Sequence, residues 1–481
     1  MKQNSNYKTK LNQNESENFN ENTAPQENLT NDNKVSFNTI IKITYPMIIS
    51  MFSMNIMIFI DRAFVAKFNL TEFAATMPAS NLATTIGSIF SGIIGYCAVL
   101  ISQYYGAKRF NKCSSTIWQG IYLSLIFSIL LLVTSPFTSG IFKLMGHSGN
   151  LLNYEVQFFY FIMVANSIQL FQTTFSCFYR AIGNTKIIMH VGIISNISNI
   201  LLDWLLISGN LGFPKLGGIK GSGLATVISC IIGLLLYGIL LNKGIYKKQF
   251  SIFSNKQFNK DLCFKLLRFG IPAGIQTFVS MGYYSFLLLI IGKTSEFNLS
   301  CANIAFTIEG ISVLPVIGLA TAVSVIVGHE RGAKKTDTII DIVKKSAIIG
   351  SVFSFIIIFI YNVFPETLIS IFNNGEDAAK FLLINNYTVT LVKITSIWIL
   401  FDTLQIIISN VLRSIGDTKF MMKIFTIIPF LFYILLPYAL CNVLKLSLLW
   451  IWIDLFIYTL LMLSLVLVRL LKGKWKSINV I

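Results

Sequence analysis

The sequence predicts an all-α polytopic membrane protein with about twelve transmembrane helices, arranged as two six-helix lobes related by an internal repeat. Of its 481 residues, 54% are hydrophobic and only 12% are charged, whereas soluble domains usually carry about a quarter charged residues. Apolar runs of about 20 residues recur along the chain, and each is long enough to cross a hydrocarbon core near 30 Å thick. Short polar motifs also recur at a nearly constant spacing, which indicates a duplicated half.

Three pairs of short segments carry the repeat. Phe178-Tyr-Arg-Ala-Ile-Gly-Asn-Thr-Lys186 returns 233 positions later as Val411-Leu-Arg-Ser-Ile-Gly-Asp-Thr-Lys419. The two other pairs, each 226 positions apart, are Gly106-Ala-Lys-Arg109 with Gly332-Ala-Lys-Lys335, and Tyr45-Pro46 with Ile271-Pro272. Each segment separates long apolar runs, so we expect it in a loop or at a helix end. Such a duplication in a membrane protein is typical of a transporter.

The predicted organisation has five parts: a disordered tail (1–34), an N-lobe with spans one to six (35–242), a linker (243–263), a C-lobe with spans seven to twelve (264–472) and a C-terminal tail (473–481). The first tail is too poor in apolar residues to offset the cost of ordering, and it lacks the apolar stretch of a signal peptide. The spans run roughly over 38–66, 73–102, 115–142, 153–177, 187–208, 219–242, 264–292, 299–328, 338–364, 379–409, 421–443 and 447–470.

Lysine and arginine predict the orientation. Most of them fall in the connections on one side, including the linker, and few fall on the other side, so both termini are expected in the cytoplasm. We therefore expect a multi-pass protein of a bacterial-type inner (cell) membrane. With six spans in each half, both halves enter the membrane in the same direction. The net charge of +17 forms no basic face on a folded domain, so no nucleic-acid partner is expected.

Sequence motifs of enzymes are missing. The chain has no Walker A segment, no HExxH and no GxSxG. Its seven cysteines are scattered without a CxxC pair, so we assign them neither a metal nor a disulfide. We expect a protein that is not an enzyme, has no cofactor, draws on an ion gradient and works as a monomer among membrane lipids.

Four residues form a predicted cation-coupling cluster in the N-lobe: Asp61, Asn199, Asp203 and Thr226. Asp61 lies six residues before Lys67 and Asp203 six before Gly209, so both lie about 9 Å inside the outer boundary. Carboxylates within a membrane span are costly and usually mark a pathway or coupling site. Their oxygens can hold Na⁺ or share a proton. The alternative is structural: Asp61 pairs with Arg62, while Asn199 and Asp203 satisfy helix packing.

Two acids in the C-lobe, Asp402 and Glu309, are candidates for a substrate site or a second proton site, with a structural hydrogen bond as the alternative. For Lys393 we expect a side chain that extends outward. Four residues of the repeated motifs, namely Arg180, Gly183, Arg413 and Gly416, are predicted hinges or gates. The arginines can cap helix carbonyls, and the glycines allow the turn that follows.

The chain resembles the multidrug and toxic compound extrusion (MATE) family over about 38–470. The segments that carry the resemblance are Tyr45-Pro46, Asp61-Arg-Ala-Phe-Val65, Gly106-Ala-Lys-Arg109, Arg180-Ala-Ile-Gly183, Asn199-Ile-Leu-Leu-Asp203, Gly221-Ser-Gly-Leu-Ala-Thr226, Gly270-Ile-Pro272, Gly328-His-Glu-Arg-Gly-Ala333 and Asp402 with Arg413-Ser-Ile-Gly-Asp-Thr418. Some branches of the family carry a Glu eight positions after the proline of span seven. Here that position is Ser280, which favours the N-lobe cluster as the ion site.

The resemblance implies an antiporter that exports bulky, often cationic drugs or metabolites in exchange for H⁺ or Na⁺. It also implies that the N-lobe cluster binds the coupling ion and that Asp402 matches an acid used by some branches. The alternative within the same superfamily is a flippase for lipid-linked oligosaccharides or precursors, which predicts a strongly cationic cavity. An enzyme within the membrane requires a close acid, histidine or metal group in one lobe, and a channel fits the two-lobe repeat less well.

Overall fold

The computed structural model describes residues 35–242, 244–373 and 378–481, so the predicted disordered tail over 1–34 lies outside the described residues. In these ranges the chain forms twelve long helices, which confirms the predicted all-α fold. The helices are α1 (Phe37–Phe68), α2 (Leu70–Gly106), α3 (Phe110–Thr134), α4 (Gly149–Ala181), α5 (Thr185–Ser208), α6 (Gly218–Leu241), α7 (Lys260–Gly292), α8 (Glu296–Gly332), α9 (Thr338–Val363), α10 (Ala378–Ile415), α11 (Thr418–Val443) and α12 (Leu448–Leu471).

Most helices extend several residues beyond the predicted apolar runs. Helix α8, predicted over 299–328, runs from Glu296 to Gly332 because polar side chains continue the helix past its apolar middle. At 1.5 Å per residue, its 37 residues span about 55 Å, well beyond the hydrocarbon thickness. Helix α2 is interrupted at Tyr96, and α11 contains two π-helical segments, Phe430–Leu435 and Ala439–Val443.

Helix α4 differs from the other long helices in its polarity. Eleven helices in the described ranges are long and apolar enough to cross a membrane, and α4 is the long helix outside that set. Its 33 residues match the length of the others, but they include Asn166, Gln169 and Gln172, which line a cavity described below. Polar residues on a helix of this length are expected where one face is turned away from lipid.

The helices assemble into two lobes whose packing follows the repeat. In the N-lobe, α4 packs against α2, α3 and α6, and α5 packs against α1. In the C-lobe, α10 packs against α8, α9 and α12, and α7 packs against α11. Helices α4 and α10 therefore hold equivalent central positions.

Between the lobes, α1 packs against α8 and α2 against both α7 and α8. Glycines allow the helices to approach closely. A Cβ atom at Gly92 on α2 would lie 2.7 Å from the Cα of Gly274 on α7. A Cβ atom at Gly318 on α8 would lie 2.8 Å from the Cγ1 of Ile48 on α1. Close contact through small residues is the usual way in which helices associate within a membrane.

The linker packs on the N-lobe. It contains the short helix Gly244–Phe250, and its following residues receive hydrogen bonds from α3: Trp118 Nε1 donates to the Ile252 carbonyl at 2.7 Å. The C-terminal segment also packs on the protein, since Trp475 is fully buried and Arg331 donates to the Ile478 carbonyl at 2.7 Å. We call the end of the molecule that carries the linker and residues 473–481 the linker end.

Candidate functional site

A cavity of about 420 Å³ lies between the N-lobe and α7, in the half of the molecule away from the linker end. Its amide and aliphatic hydroxyl side chains come from α2, α4, α5, α6 and α7 and are Thr76, Ser80, Asn81, Thr84, Thr85, Asn166, Gln169, Gln172, Ser195, Asn196, Thr226, Ser229 and Ser285. Apolar surface comes from Met54, Met57 and Phe158, with Met281 and Tyr284 on α7. This size and lining are typical of a small-molecule site.

The formal charge of the cavity wall is balanced. Asp61 and Arg62 are the two lining side chains that carry a charge, and they follow each other on α1. The other lining residues are neutral. The cavity thus presents one adjacent acid and base in an otherwise neutral surface.

Asp61 and Asp203 meet at the edge of this cavity, as the sequence predicts. Their carboxyl groups are in hydrogen-bonding contact. Asp203 is fully buried on α5, and its Oδ1 receives no hydrogen bond from the described part of the chain. Ser222 on α6 donates to Asp61 Oδ1 at 2.5 Å. Two carboxylates in direct contact repel each other, so this arrangement fits a shared proton or a bound cation.

Asn199 and Thr226 complete the cluster. Asn199 lies one helical turn before Asp203, and Ser222 one turn before Thr226, so each pair shares a helix face. In the orientation that satisfies both polar atoms of its amide, Asn199 donates to Asp203 Oδ2 and accepts from the Thr226 backbone N–H, both at 3.3 Å. Thr226 Oγ1 donates to the Ser222 carbonyl at 3.0 Å. The structure therefore brings all four predicted residues together.

Ser222 and Glu72 belong to this arrangement, and the sequence analysis missed both. Glu72, in the first turn of α2, accepts a hydrogen bond of 2.7 Å from the Ile219 N–H at the start of α6. A carboxylate suits the unpaired N–H groups and the positive dipole end of a helix. The bond fixes the start of α6, three residues before Ser222. The sequence does contain an indication of the Glu72 contact, because Glu72 is an acid at the edge of predicted span two.

The predicted C-lobe acids lie together but away from the cavity wall. Trp398 Nε1 donates to Glu309 Oε1 at 2.8 Å, and Asp402 is close enough to Glu309 for an electrostatic interaction. Tyr284, which lines the cavity, also lies beside Glu309. Lys393 is exposed on α10, and its role stays a prediction. Neither acid is among the residues that line the cavity, and Glu309 is near its wall through Tyr284.

The predicted gate residues lie at the linker end. Gly183 (φ +81°) and Gly416 (φ +104°) adopt the left-handed conformation directly after α4 and α10, which favours glycine. Arg180 lies beside Cys177, with Nη2 3.1 Å from Sγ, and the Arg413 guanidinium lies 5.6 Å from the centre of the Phe425 ring. The structure thus explains the glycines of the repeated motif as helix ends, while the gate role of all four residues stays a prediction.

The polar residue after each glycine anchors the motif. Asn184 donates to the Tyr246 hydroxyl at 2.7 Å, which ties the end of α4 to the linker. Asp417 forms an ion pair with Arg469 on α12, with 2.6 Å between Oδ2 and Nε and 3.1 Å between Oδ1 and Nη2. Both copies of the repeated motif therefore have a polar side chain at this position that ties the helix end to another segment, although the segment differs between the two lobes.

Sequence comparisons place the chain among known proteins. The MatE family model matches residues 46–205 and 272–439, one segment in each lobe. The probable multidrug resistance protein NorM of Thermotoga maritima is 25% identical over 391 residues, which cover 79% of this chain and 80% of that protein. The probable multidrug resistance protein YoeA of Bacillus subtilis is 26% identical over 332 residues, which cover 68% of this chain and 69% of that protein.

Solved structures share the fold. A multidrug resistance MATE family transporter of the MOP superfamily in an outward-facing conformation matches with a TM-score of 0.83 at 17% identity, over 92% of this chain and 97% of the other. A MOP superfamily transporter from Pyrococcus furiosus, described as having a binding pocket of reverse polarity, matches with a TM-score of 0.82 at 17% identity and the same coverage. At this level of identity the likeness concerns the fold.

Proposed function

The chain belongs to the MatE family, and we propose that it is a secondary active antiporter that exports organic, often cationic compounds in exchange for H⁺ or Na⁺. One observation carries this proposal. The carboxyl group of Asp61 belongs both to the buried acid cluster and to the wall of the cavity. An ion at the cluster and an organic cation in the cavity therefore compete for the same charge.

The cluster supports exchange because it holds two carboxyl groups in contact. A proton shared by Asp61 and Asp203, or Na⁺ held by their oxygens with those of Asn199 and Thr226, offsets their repulsion. When the ion leaves, the Asp61–Asp203 pair carries one more negative charge than Arg62 balances, and this excess charge at the cavity wall attracts a cationic compound. When the ion returns, that attraction is lost and the compound is released. Each ligand thus favours a different state of the same lobe.

The same geometry supports a cavity that opens away from the linker end. Its lining residues lie in the half of the molecule opposite the linker, whereas the lobes are closely packed at the linker end. We propose that the linker end faces the cytoplasm, because the basic connections of the chain gather there. On this basis the described conformation releases substrate to the outside.

The charge of the cavity bears on the flippase alternative. A flippase for lipid-linked precursors carries anionic phosphates, which require several cations in the cavity. Arg62 is the lining cation here, and Asp61 beside it balances its charge. The lining therefore favours neutral and cationic organic molecules over a pyrophosphate headgroup.

Everted membrane vesicles test the proposal. We expect accumulation of a fluorescent cationic compound in vesicles that contain the protein, driven by an imposed pH or Na⁺ gradient. Collapsing the pH gradient with an ionophore and removing the Na⁺ gradient in separate samples identifies the coupling ion. Accumulation that continues with both gradients collapsed would contradict an ion-coupled antiporter.

A further inference from the structure

We propose that Gln103 and His329 form a two-point latch that closes the two lobes against each other at the linker end, and that both of its hydrogen bonds break when the lobes separate there. The part of this proposal that concerns the transport cycle rests on the proposed antiport function. The latch itself rests on contacts that the predicted site residues do not make.

Each latch residue crosses from one lobe to the other. Gln103 on α2 donates from Nε2 to the carbonyl of Ser414 on α10 at 2.7 Å. His329 on α8 lies with Nε2 at 2.5 Å from the carbonyl of Ala181 on α4. Both side chains are almost fully buried. The only group that His329 can present to a carbonyl is an N–H, so its Nε2 carries the proton.

The two bonds are equivalent under the internal repeat. Gln103 and His329 lie 226 positions apart, the offset of the Gly-Ala-Lys motifs that follow them. Their acceptors, Ala181 and Ser414, lie 233 positions apart, the offset of the Arg-x-Ile-Gly motifs that contain them. Each lobe thus gives one donor and one acceptor, as at a two-fold symmetric interface. The repeated motifs of the sequence meet at this point.

The acceptors are carbonyl groups that the ends of α4 and α10 leave unpaired. The carbonyls of Tyr179 and Leu412 accept from Asn184 and Asp417, and those of Arg180 and Arg413 accept from the two glycines that end the helices. The next carbonyls along the two helices, those of Ala181 and Ser414, accept the hydrogen bonds of the latch. Helix ends leave such carbonyls without an internal partner. When the lobes separate, water can take the place of each donor, so the latch opens without leaving a buried group unpaired.

Three glycines allow this contact. A Cβ atom at Gly106 would lie 2.0 Å from the His329 carbonyl oxygen, and one at Gly332 would lie 1.9 Å from the Gln103 carbonyl oxygen. A Cβ atom at Gly328 would lie 2.0 Å from Ser102 Oγ. Any of these substitutions would therefore force α2 and α8 apart. The glycines of the repeated Gly-Ala-Lys motif are required here for close approach between the lobes.

The test measures the distance between the lobes at the linker end. Spin labels are placed at Asn111→Cys and Asp337→Cys, which are exposed and lie 226 positions apart, and the half-buried Cys230 and Cys263 are replaced by serine. Double electron–electron resonance spectroscopy in detergent gives the distribution of distances between the two spin labels. We expect one short distance in the parent protein. In the Gln103→Ala and His329→Ala variants a longer distance appears, and the ratio of short to long falls about tenfold for each lost bond, or about 1.4 kcal/mol.

Two control pairs separate the latch from general destabilisation. His329→Gln places at this position the residue that its repeat partner uses, and we expect it to restore the short distance. Gly328→Ala is expected to produce the long distance, whereas Gly310→Ala on the same helix, where an added Cβ meets no atom within 4 Å, leaves the distribution unchanged. A parent distribution in both alanine variants, or an equal effect of Gly328→Ala and Gly310→Ala, would overturn the latch.

Vesicle transport in the same variants distinguishes failure of the latch from failure of the proposed function. If the distance changes but the parent protein shows no ion-driven transport, the latch stands and the antiport function falls. If the parent protein transports and the distances do not change in any latch variant, the latch falls alone.

Discussion

Ser222 on α6 donates a hydrogen bond of 2.5 Å to Asp61 on α1, in direct contact with the buried Asp203. The bond links the helix that starts at the Glu72 contact to the acid that lines the cavity. It orients the Asp61 carboxyl group between two possible ligands, an ion at the cluster and a compound in the cavity.

We expect Ser222→Ala to raise the Na⁺ concentration needed for half-maximal transport by about tenfold if Na⁺ is the coupling ion. The hydroxyl that orients Asp61 is lost, and a hydrogen bond to a charged group contributes about 1.5–3 kcal/mol. The measurement is efflux from reconstituted vesicles as a function of Na⁺. Ser464→Ala is the control, because this exposed hydroxyl donates within α12 to Leu460. An unchanged Na⁺ requirement would show that Ser222 does not support the cluster.

We expect Glu309→Gln and Asp402→Asn each to weaken the binding of cationic substrates and to leave neutral ones little affected. Glu309 lies close to Tyr284 of the cavity wall, and Asp402 lies close to Glu309, so a charge on either acid adds negative potential to this side of the cavity. Because a unit charge several ångströms away still contributes on the order of 1–2 kcal/mol at an effective dielectric constant near 20, we expect each variant to lose affinity by about tenfold. Substrate titration by fluorescence anisotropy measures it. Equal losses for a cationic and a neutral substrate would contradict this role.

We expect Asp417→Asn to lower the free energy of unfolding by about 2–3 kcal/mol. Asp417 is buried and pairs with Arg469 through two contacts, and breaking a buried pair costs about 3–5 kcal/mol, less where one partner is partly exposed. The control is Asp341→Asn, which breaks the more exposed Lys345 pair within α9 and should cost under about 1 kcal/mol. The measurement is the free energy of unfolding of the two variants in detergent. Equal losses of stability would contradict the larger contribution that we assign to the Asp417–Arg469 pair.

Parts of the site follow from spacing within a single helix. Asn199 and Asp203 are one turn apart, and the depth of Asp61 and Asp203 follows from counting residues to the nearest polar boundary. The two lobes are also predicted from spacing, here from the nearly constant offset between the repeated motifs. These features depend on local geometry, which a sequence carries directly.

Other parts depend on how helices turn toward each other, which one sequence does not specify. From the sequence, Ser222 is an ordinary serine in an apolar helix. The hydroxyl of such a serine commonly donates a hydrogen bond to a backbone carbonyl of its own helix. From the sequence, Gln103 and His329 are polar residues close to the loops that follow α2 and α8. Their shared role appears only when α2 and α8 are placed side by side. The polar residues of α4 line the cavity, and this depends on which face of the helix is turned toward α2, α5 and α7.

The most direct test of the central claim is ion-driven efflux in the acid variants, measured in vesicles with equal amounts of folded protein. We predict that Asp61→Asn and Asp203→Asn each abolish export driven by the gradient, because neither variant keeps the pair of carboxyl groups to which we assign binding of the coupling ion. Asp341→Asn should transport like the parent. Full ion-driven export by the double variant Asp61→Asn/Asp203→Asn would contradict the assignment of this cluster as the coupling site.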